Sequence, residues 1–157
     1  MEKVLIDSNI LMDLMNGVQA ARTEVSYYSD IAISAITWME VMVGCAMGDN
    51  KGQSQQTSRF LTFLSALRVN VIHTDDVIAI RSVEIRAAAL AETPKRQIKL
   101  PDAIIAATAN ALGVTIVTRN PRDFGASSVR MPYRCEYEYN EAGQIITWTV
   151  SDVVPPL

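Results

Sequence analysis

Residues 100–124 read LPDAIIAATANALGVTIVTRNPRDF. The stretch spells a helix, a tight turn, a buried strand and a polar loop, in that order. Pro101 suits the first helical turn, where its missing N–H is not needed. Ala103, Ala106, Ala107, Ala109 and Ala111 give the helix a small-residue surface that packs closely against a sheet. Gly113 stops it, because glycine enters the left-handed cap conformation without steric cost. Val114-Thr115-Ile116-Val117 is a short β-branched run, the mark of a strand covered on both faces. Two carboxylates frame the unit: Asp102 in the first helical turn and Asp123 in the loop beyond the strand.

Upstream, the same alternation recurs. Lys3 to Ile6 is a short buried strand, and Asp7 follows at its C-terminal end. Asp7-Ser8-Asn9 opens a helix that Gly17 ends, and a second helix covers Gln19 to Tyr28. Ile31 to Ile33 is a strand, and Ser34 or Thr37 caps the helix TWMEVMVGCAM that follows. Asp49 to Ser58 is a polar loop entering an apolar helical stretch, Arg59 to Leu67. Val69 to Ile72 is another strand. Thr74-Asp75-Asp76 caps a long amphipathic helix, Val77 to Ala91, and Lys95 to Lys99 is a basic connector. Strands alternating with helices predict a three-layer α/β fold with a mainly parallel sheet. Beyond residue 130 the pattern changes. Tyr133, Cys135, Tyr137 and Tyr139 alternate with Arg134, Glu136 and Glu138, a turn follows at Asn140 to Gly143, and QIITWTV is β-rich, so a hairpin is expected. It either adds to the domain or offers an edge for pairing. Its tyrosines and Trp148 read as packing residues rather than as base-stacking platforms.

The chain has 157 residues, 49% of them apolar and 20% charged, which places it among ordinary globular proteins of one domain. The core is expected over 1–129 and the hairpin extension over 130–157. No apolar run reaches the roughly 18 residues of a membrane span, and no signal peptide precedes the first strand. Cys45 and Cys135 lack metal-ligand spacing and read as reduced thiols of a cytoplasmic protein. The net charge of −3 is unevenly spread. Residues 95–134 hold seven basic and two acidic side chains, and those two acids are Asp102 and Asp123. A basic segment around two acids suits a site for both cations and phosphates.

Four acids stand apart: Asp7, Glu40, Asp102 and Asp123. From Ala35 to Met47 the only charged residue is Glu40. A carboxylate among Trp38, Met39, Val41, Met42 and Val43 is costly unless paired. Either Glu40 points out of a narrow polar seam or it meets a cation brought in by the fold. A parallel sheet delivers all its strand-to-helix connections to one edge, so Asp7 and the Asp123 loop share a side. Clustered carboxylates repel, and the natural neutraliser is a hard divalent cation such as Mg²⁺ or Mn²⁺. One or two such ions activate water and stabilise charge on a phosphodiester. Asp13, Asp30, Asp49, Asp75, Asp76, Glu84 and Glu92 read as helix caps or solvated positions, and His73 as structural.

Three segments, VLIDSNILMDLM, ISAITWMEVMVG and IKLPDAIIAATANALGVTIVTRNPRDF, resemble the PIN-domain ribonucleases, and within them the VapC-like toxins of bacterial and archaeal toxin–antitoxin pairs. The resemblance covers residues 3–124. It implies a parallel-sheet α/β sandwich that hydrolyses RNA phosphodiesters with Mg²⁺ or Mn²⁺. It implies that Asp7, Glu40, Asp102 and Asp123 form the acidic metal-binding, catalytic quartet, with Asn9, Thr118 and Asn120 as polar lining. It also implies a homodimer, and an antitoxin protein that inserts a segment into the acidic groove. Ser8 stands where the family often has Thr, and the tail beyond Arg130 is longer than the usual toxin end. On this reading the chain is a metal-dependent endoribonuclease in which Arg119, Arg122 or the Lys95–Lys99 connector holds the RNA backbone. Two other classes are weighed against it. An aspartyl-phosphate phosphatase would want a second acid two residues after Asp7, where Asn9 stands. A non-catalytic interaction module would have no use for the costly Glu40.

Overall fold

The computed structural model describes residues 2–52, 55–125 and 127–156. The chain begins with β1 (Lys3–Ile6), then α1 (Ser8–Asn16) and α2 (Gln19–Ser26), and returns through β2 (Asp30–Ser34). Next come α3 (Ala35–Asn50), α4 (Gln56–Ala66) and β3 (Asn70–Ile72). Then α5 (Asp76–Ala91) and α6 (Leu100–Leu112) lead to β4 (Thr115–Val117), a 3-10 turn (Pro121–Phe124) and β5 (Val129–Arg130). The five strands form one sheet in the order β3-β2-β1-β4-β5, and every neighbouring pair is parallel. The chain steps outward from β1 to β3, then crosses to β4 on the other flank of β1. Such reversals open a crevice at the C-terminal ends of the two strands, here β1 and β4.

Strand alternation sorts the core into two layers. Val4 and Ile6 of β1 face one layer with Ile10, Leu11, Leu14, Val18, Val25, Phe60 and Leu64, supplied by α1, α2 and α4. Leu5 faces the other, with Ile105, Ala106, Ala109, Ile116 and Phe124. The expected alanine surface of α6 is thus the packed one. Gly113 closes that helix at φ +64°.

Several local readings are resolved or shifted. Ser34 caps α3, its hydroxyl accepting from the Ile36 N–H at 3.2 Å. Thr37 lies inside the helix, its Oγ1 buried with no partner. That helix runs on to Asn50, so Asp49 is not in a loop. It sits in the last turn of α3 and accepts from the Gln56 and Thr57 N–H groups that open α4. Gln53 and Ser54, part of the expected loop, lie outside the described residues. β5 has only two residues, too few to leave a pattern, and it straddles the expected 129/130 boundary.

The hairpin forms as read: β6 (Arg134–Tyr139) and β7 (Ile145–Ser151) pair antiparallel, with Tyr137 opposite Trp148. It is a separate two-stranded sheet that packs Tyr133, Cys135, Tyr137, Trp148 and Val150 on the α1/α2 side of the core. Among the described residues no helix is long and apolar enough to cross a membrane. Cys45 and Cys135 are both free thiols.

Candidate functional site

The crevice between the ends of β1 and β4 is where the polar residues collect. The two strands stay in register to their last residues, and the Asp7 N–H still donates to the Val117 carbonyl at 3.0 Å. Asp7 and Thr118 therefore leave the sheet side by side. Asp7 is 6% exposed, and its burial is offset by three donors. The Ser8 N–H reaches Oδ1 at 2.8 Å. Thr118 Oγ1 and Asn9 Nδ2 reach Oδ2 at 2.8 and 3.2 Å. The expected helix cap and the expected site residue are one and the same carboxylate.

Asn9 and Thr118 tie this corner together. Asn9 Nδ2 also donates to Thr118 Oγ1 at 3.1 Å, and Asn9 Oδ1 accepts from the Arg119 N–H at 3.1 Å. Thr118 Oγ1 in turn accepts from the Asn120 N–H at 3.0 Å. Asn120 itself is exposed at the start of the 3-10 turn that carries Asp123. Asp102 arrives from the opposite direction. A helix that precedes a parallel strand runs antiparallel to it, so the N-terminus of α6 lies at the C-terminal edge of β4. Glu40 lies on α3, two turns beyond the end of β2.

The electrostatics bring the four acids into one field. Burial raises the Asp102 carboxyl to about 6, and Asp123, Asp7 and Glu40 push it the same way, with Lys99 opposing. Burial also raises Asp7; its hydrogen bonds from Thr118 and Ser8 oppose this, and Asp123 adds to the rise. Glu40 is raised by desolvation and by Asp7, with the Ser8 hydroxyl opposing. These mutual effects place the four carboxylates within electrostatic reach of one another. Among the described residues, no three His, Cys, Asp or Glu side chains are drawn together into a finished ligand set. The donors are all carboxylates, and burial with mutual repulsion disfavours the charged forms of Asp7, Glu40 and Asp102, so their chemistry fits a hard divalent cation.

One alternative is narrowed and two sequence readings change. Glu40 is an exposed residue at the rim; the buried carboxylate of the quartet is Asp7. Asp13, read as a cap or a solvated position, is fully buried. It receives Arg119 Nε at 2.8 Å and Nη2 at 3.2 Å, and the hydroxyls of Tyr133 and Tyr137 at 2.8 and 2.5 Å. Arg119, expected to hold the RNA backbone, has its guanidinium committed to Asp13 and, through Nη1, to the Cys135 carbonyl at 3.1 Å. A guanidinium held in a buried pair is not free to grip phosphate. Arg122, Lys95 and Lys99 are exposed; Arg122 is next to Asp123 in the chain, and Lys99 acts on Asp102. The sequence did carry a signal for Asp13: it is the only charge between Asn9 and Gly17, and helical spacing puts it on the apolar face with Ile10 and Leu14.

The PIN domain family model matches residues 4–126. The chain belongs to the PIN domain family. Solved structures agree. A chain of a toxin–antitoxin complex from Klebsiella pneumoniae is 40% identical, with the match covering 83% of this chain and 98% of that one at a TM-score of 0.67. A chain of the DNA-bound VapBC from Salmonella typhimurium is 27% identical over 83% of this chain and 98% of its own, with a TM-score of 0.64. VapBC2 from Rickettsia felis, bound to a promoter DNA fragment, shares the fold: TM-score 0.69 at 24% identity, over 82% and 98% of the two chains. Comparison with curated proteins returns no match. The PIN match ends before β6, and the Klebsiella chain is nearly used up by 83% of this one. The hairpin is thus an addition to the PIN domain.

Proposed function

We propose that this PIN domain is a metal-dependent endoribonuclease and the toxin of a toxin–antitoxin pair. The observation that carries the reading is the shared field at Asp102, where Asp123, Asp7 and Glu40 all act on one carboxyl. Asp7, Glu40, Asp102 and Asp123 would hold Mg²⁺ or Mn²⁺. Such an ion, when bound, supplies Lewis-acid polarisation of a phosphodiester and lowers the pKa of water. The chain does the rest. Asn9 and Thr118 fix the Asp7 carboxylate, Asn120 lines the mouth, and Arg122 with Lys95 and Lys99 draws the RNA backbone to an otherwise repulsive acidic site.

The partners follow from the likeness and from two apolar faces. The similar Klebsiella and Salmonella chains are solved in toxin–antitoxin complexes. A cavity of about 280 Å³ opens beside Glu40, lined by Met12, Met15, Val41, Gly44 and Cys45 among others. Met12, Met39, Val43 and Met47 are exposed close to it. This face takes the inserted antitoxin segment. On α5, Val77, Ile80 and Val83 form a second exposed apolar stripe at helical spacing, the face on which the chain forms a homodimer.

The test is cleavage of a pool of structured RNAs by purified protein with Mg²⁺, Mn²⁺ or EDTA, beside Asp7→Asn and Asp123→Ala. Metal-dependent cutting that both variants lose supports the nuclease. Tight RNA or protein binding without cutting under any metal overturns it in favour of an interaction module.

A further inference from the structure

We propose that the C-terminal hairpin is a positioning device for the PIN site: through Asp13 and Arg119 it holds Asn9, and with it the Asp7 carboxylate and the loop after β4, in one geometry. Only its kinetic readout rests on the nuclease reading. Tyr133, Cys135 and Tyr137 lie at alternate positions entering and along β6, so they present one face. All three meet the same ion pair. The two tyrosine hydroxyls donate to Asp13 at 2.8 and 2.5 Å, and the Cys135 carbonyl accepts from Arg119 Nη1 at 3.1 Å. Arg119 also lies 6.0 Å from the centre of the Tyr137 ring. Asn16, one turn on from Asp13, donates to the Tyr137 oxygen at 3.4 Å.

From the ion pair the path to the site is short. The Arg119 N–H donates to Asn9 Oδ1, and Asn9 Nδ2 donates to both Asp7 Oδ2 and Thr118 Oγ1. Asn9 and Asp13 stand four residues apart on α1, stacked on one face of the helix. Two rows of hydrogen bonds thus join the loop after β4 to α1, and the hairpin closes the outer one. Attachment of the hairpin does not call for this. Tyr133, Cys135, Tyr137, Trp148 and Val150 already pack it on the core. A buried ion pair adds little net stability over apolar packing, and its best-attested use is to select one arrangement. Asp13, Tyr133 and Tyr137 are therefore positioning residues, acting on the site through Arg119 and Asn9.

The test compares wild type, the double variant Tyr133→Phe/Tyr137→Phe, and Val150→Ala. The first pair of changes keeps both rings and removes only the hydroxyls; the last trims an apolar contact of the same hairpin. Hydrogen exchange is measured at the backbone amides of Arg119 and Asn120, which site side chains hold. Exchange at both is expected to quicken about tenfold in the double variant and to stay at the wild-type rate in Val150→Ala. On RNA, kcat is expected to fall about tenfold or more in the double variant with KM little changed, and Val150→Ala to keep its kcat at temperatures where all three chains are folded. Unchanged exchange at both amides in the folded double variant overturns the proposal. If wild type cuts no RNA, the nuclease reading fails while the exchange comparison still decides the positioning role.

Discussion

At the scale of the residue, the site is a set of carboxylates held against their own repulsion. Asp102 shows the cost. Its carboxyl is raised to about 6, by burial first and then by Asp123, Asp7 and Glu40, where the ordinary value is 3.8. The folded chain therefore binds an extra proton between about pH 4 and pH 6, and without metal its stability falls as pH rises through that window. Asp102→Asn removes the effect. We expect the variant, metal-free at pH 7, to be more stable than wild type by about 1 kcal/mol at most, once screening of this half-buried group is allowed for. That corresponds to about 2–4 °C in Tm. On the proposed nuclease reading, the same variant is expected to lose RNA cleavage. Thermal unfolding at pH 4, 5, 6 and 7 checks the first part: the gap between variant and wild type should open as pH rises. Mg²⁺ should narrow the gap by stabilising wild type alone. A constant gap would show that Asp102 carries no strain.

At the scale of the element, Asp7 is placed by the end of β1, Asp102 by the start of α6 and Asp123 by the turn after β4. The 3-10 turn that carries Asp123 depends on the glycine after it. Gly125 adopts φ +60° and ψ −120°, a region that side chains strongly disfavour. A Cβ there would first meet the Arg96 guanidinium, the far end of a flexible side chain that can move aside, so the cost lies in the backbone. Gly125→Ala is expected to cost about 1–3 kcal/mol, read as a lower Tm, and to cut activity further than that loss of folded protein explains, because the turn moves with Asp123. A Tm equal to wild type would mean that the turn relaxes freely. Arg96 pairs with Glu92 at 3.7 Å, while Lys95 and Lys99 of the basic connector are exposed.

At the scale of the whole molecule, the PIN domain leaves two apolar faces exposed, and on the proposed function they take different partners. The α5 stripe of Val77, Ile80 and Val83 is 56–64% exposed, which a monomer has little reason to keep. Ile80→Glu is expected to convert a dimer to a monomer, seen as a halved mass by light scattering, with Tm changed little at an exposed position. A wild type that is monomeric at high concentration would remove this face from the assembly. The α3 face beside the cavity, proposed above as the antitoxin's, is expected to be silent in that experiment.

The sequence by itself determined the layout. Short β-branched runs alternating with helices gave the parallel sheet, the stop at Gly113 set the end of α6, and the alternation after residue 130 set the hairpin. All of these depend on local periodicity, which neighbours along the chain write down in order. Asp7 and Asp123 were legible as companions for the same reason, since every strand of a parallel sheet ends on one edge. Tertiary structure alone decided which charges face which. Asp13 and Arg119 are 106 residues apart in the chain, and Asp13 and Tyr137 are 124 apart. No local pattern records such pairings. A carboxylate on an apolar helix face announces that it needs a partner; in Asp13 that partner came from the loop after β4 and from the hairpin, whereas Glu40 is exposed. The reason is physical. Burial of a charge is settled by what the fold brings within hydrogen-bonding distance, and only the folded chain holds that information.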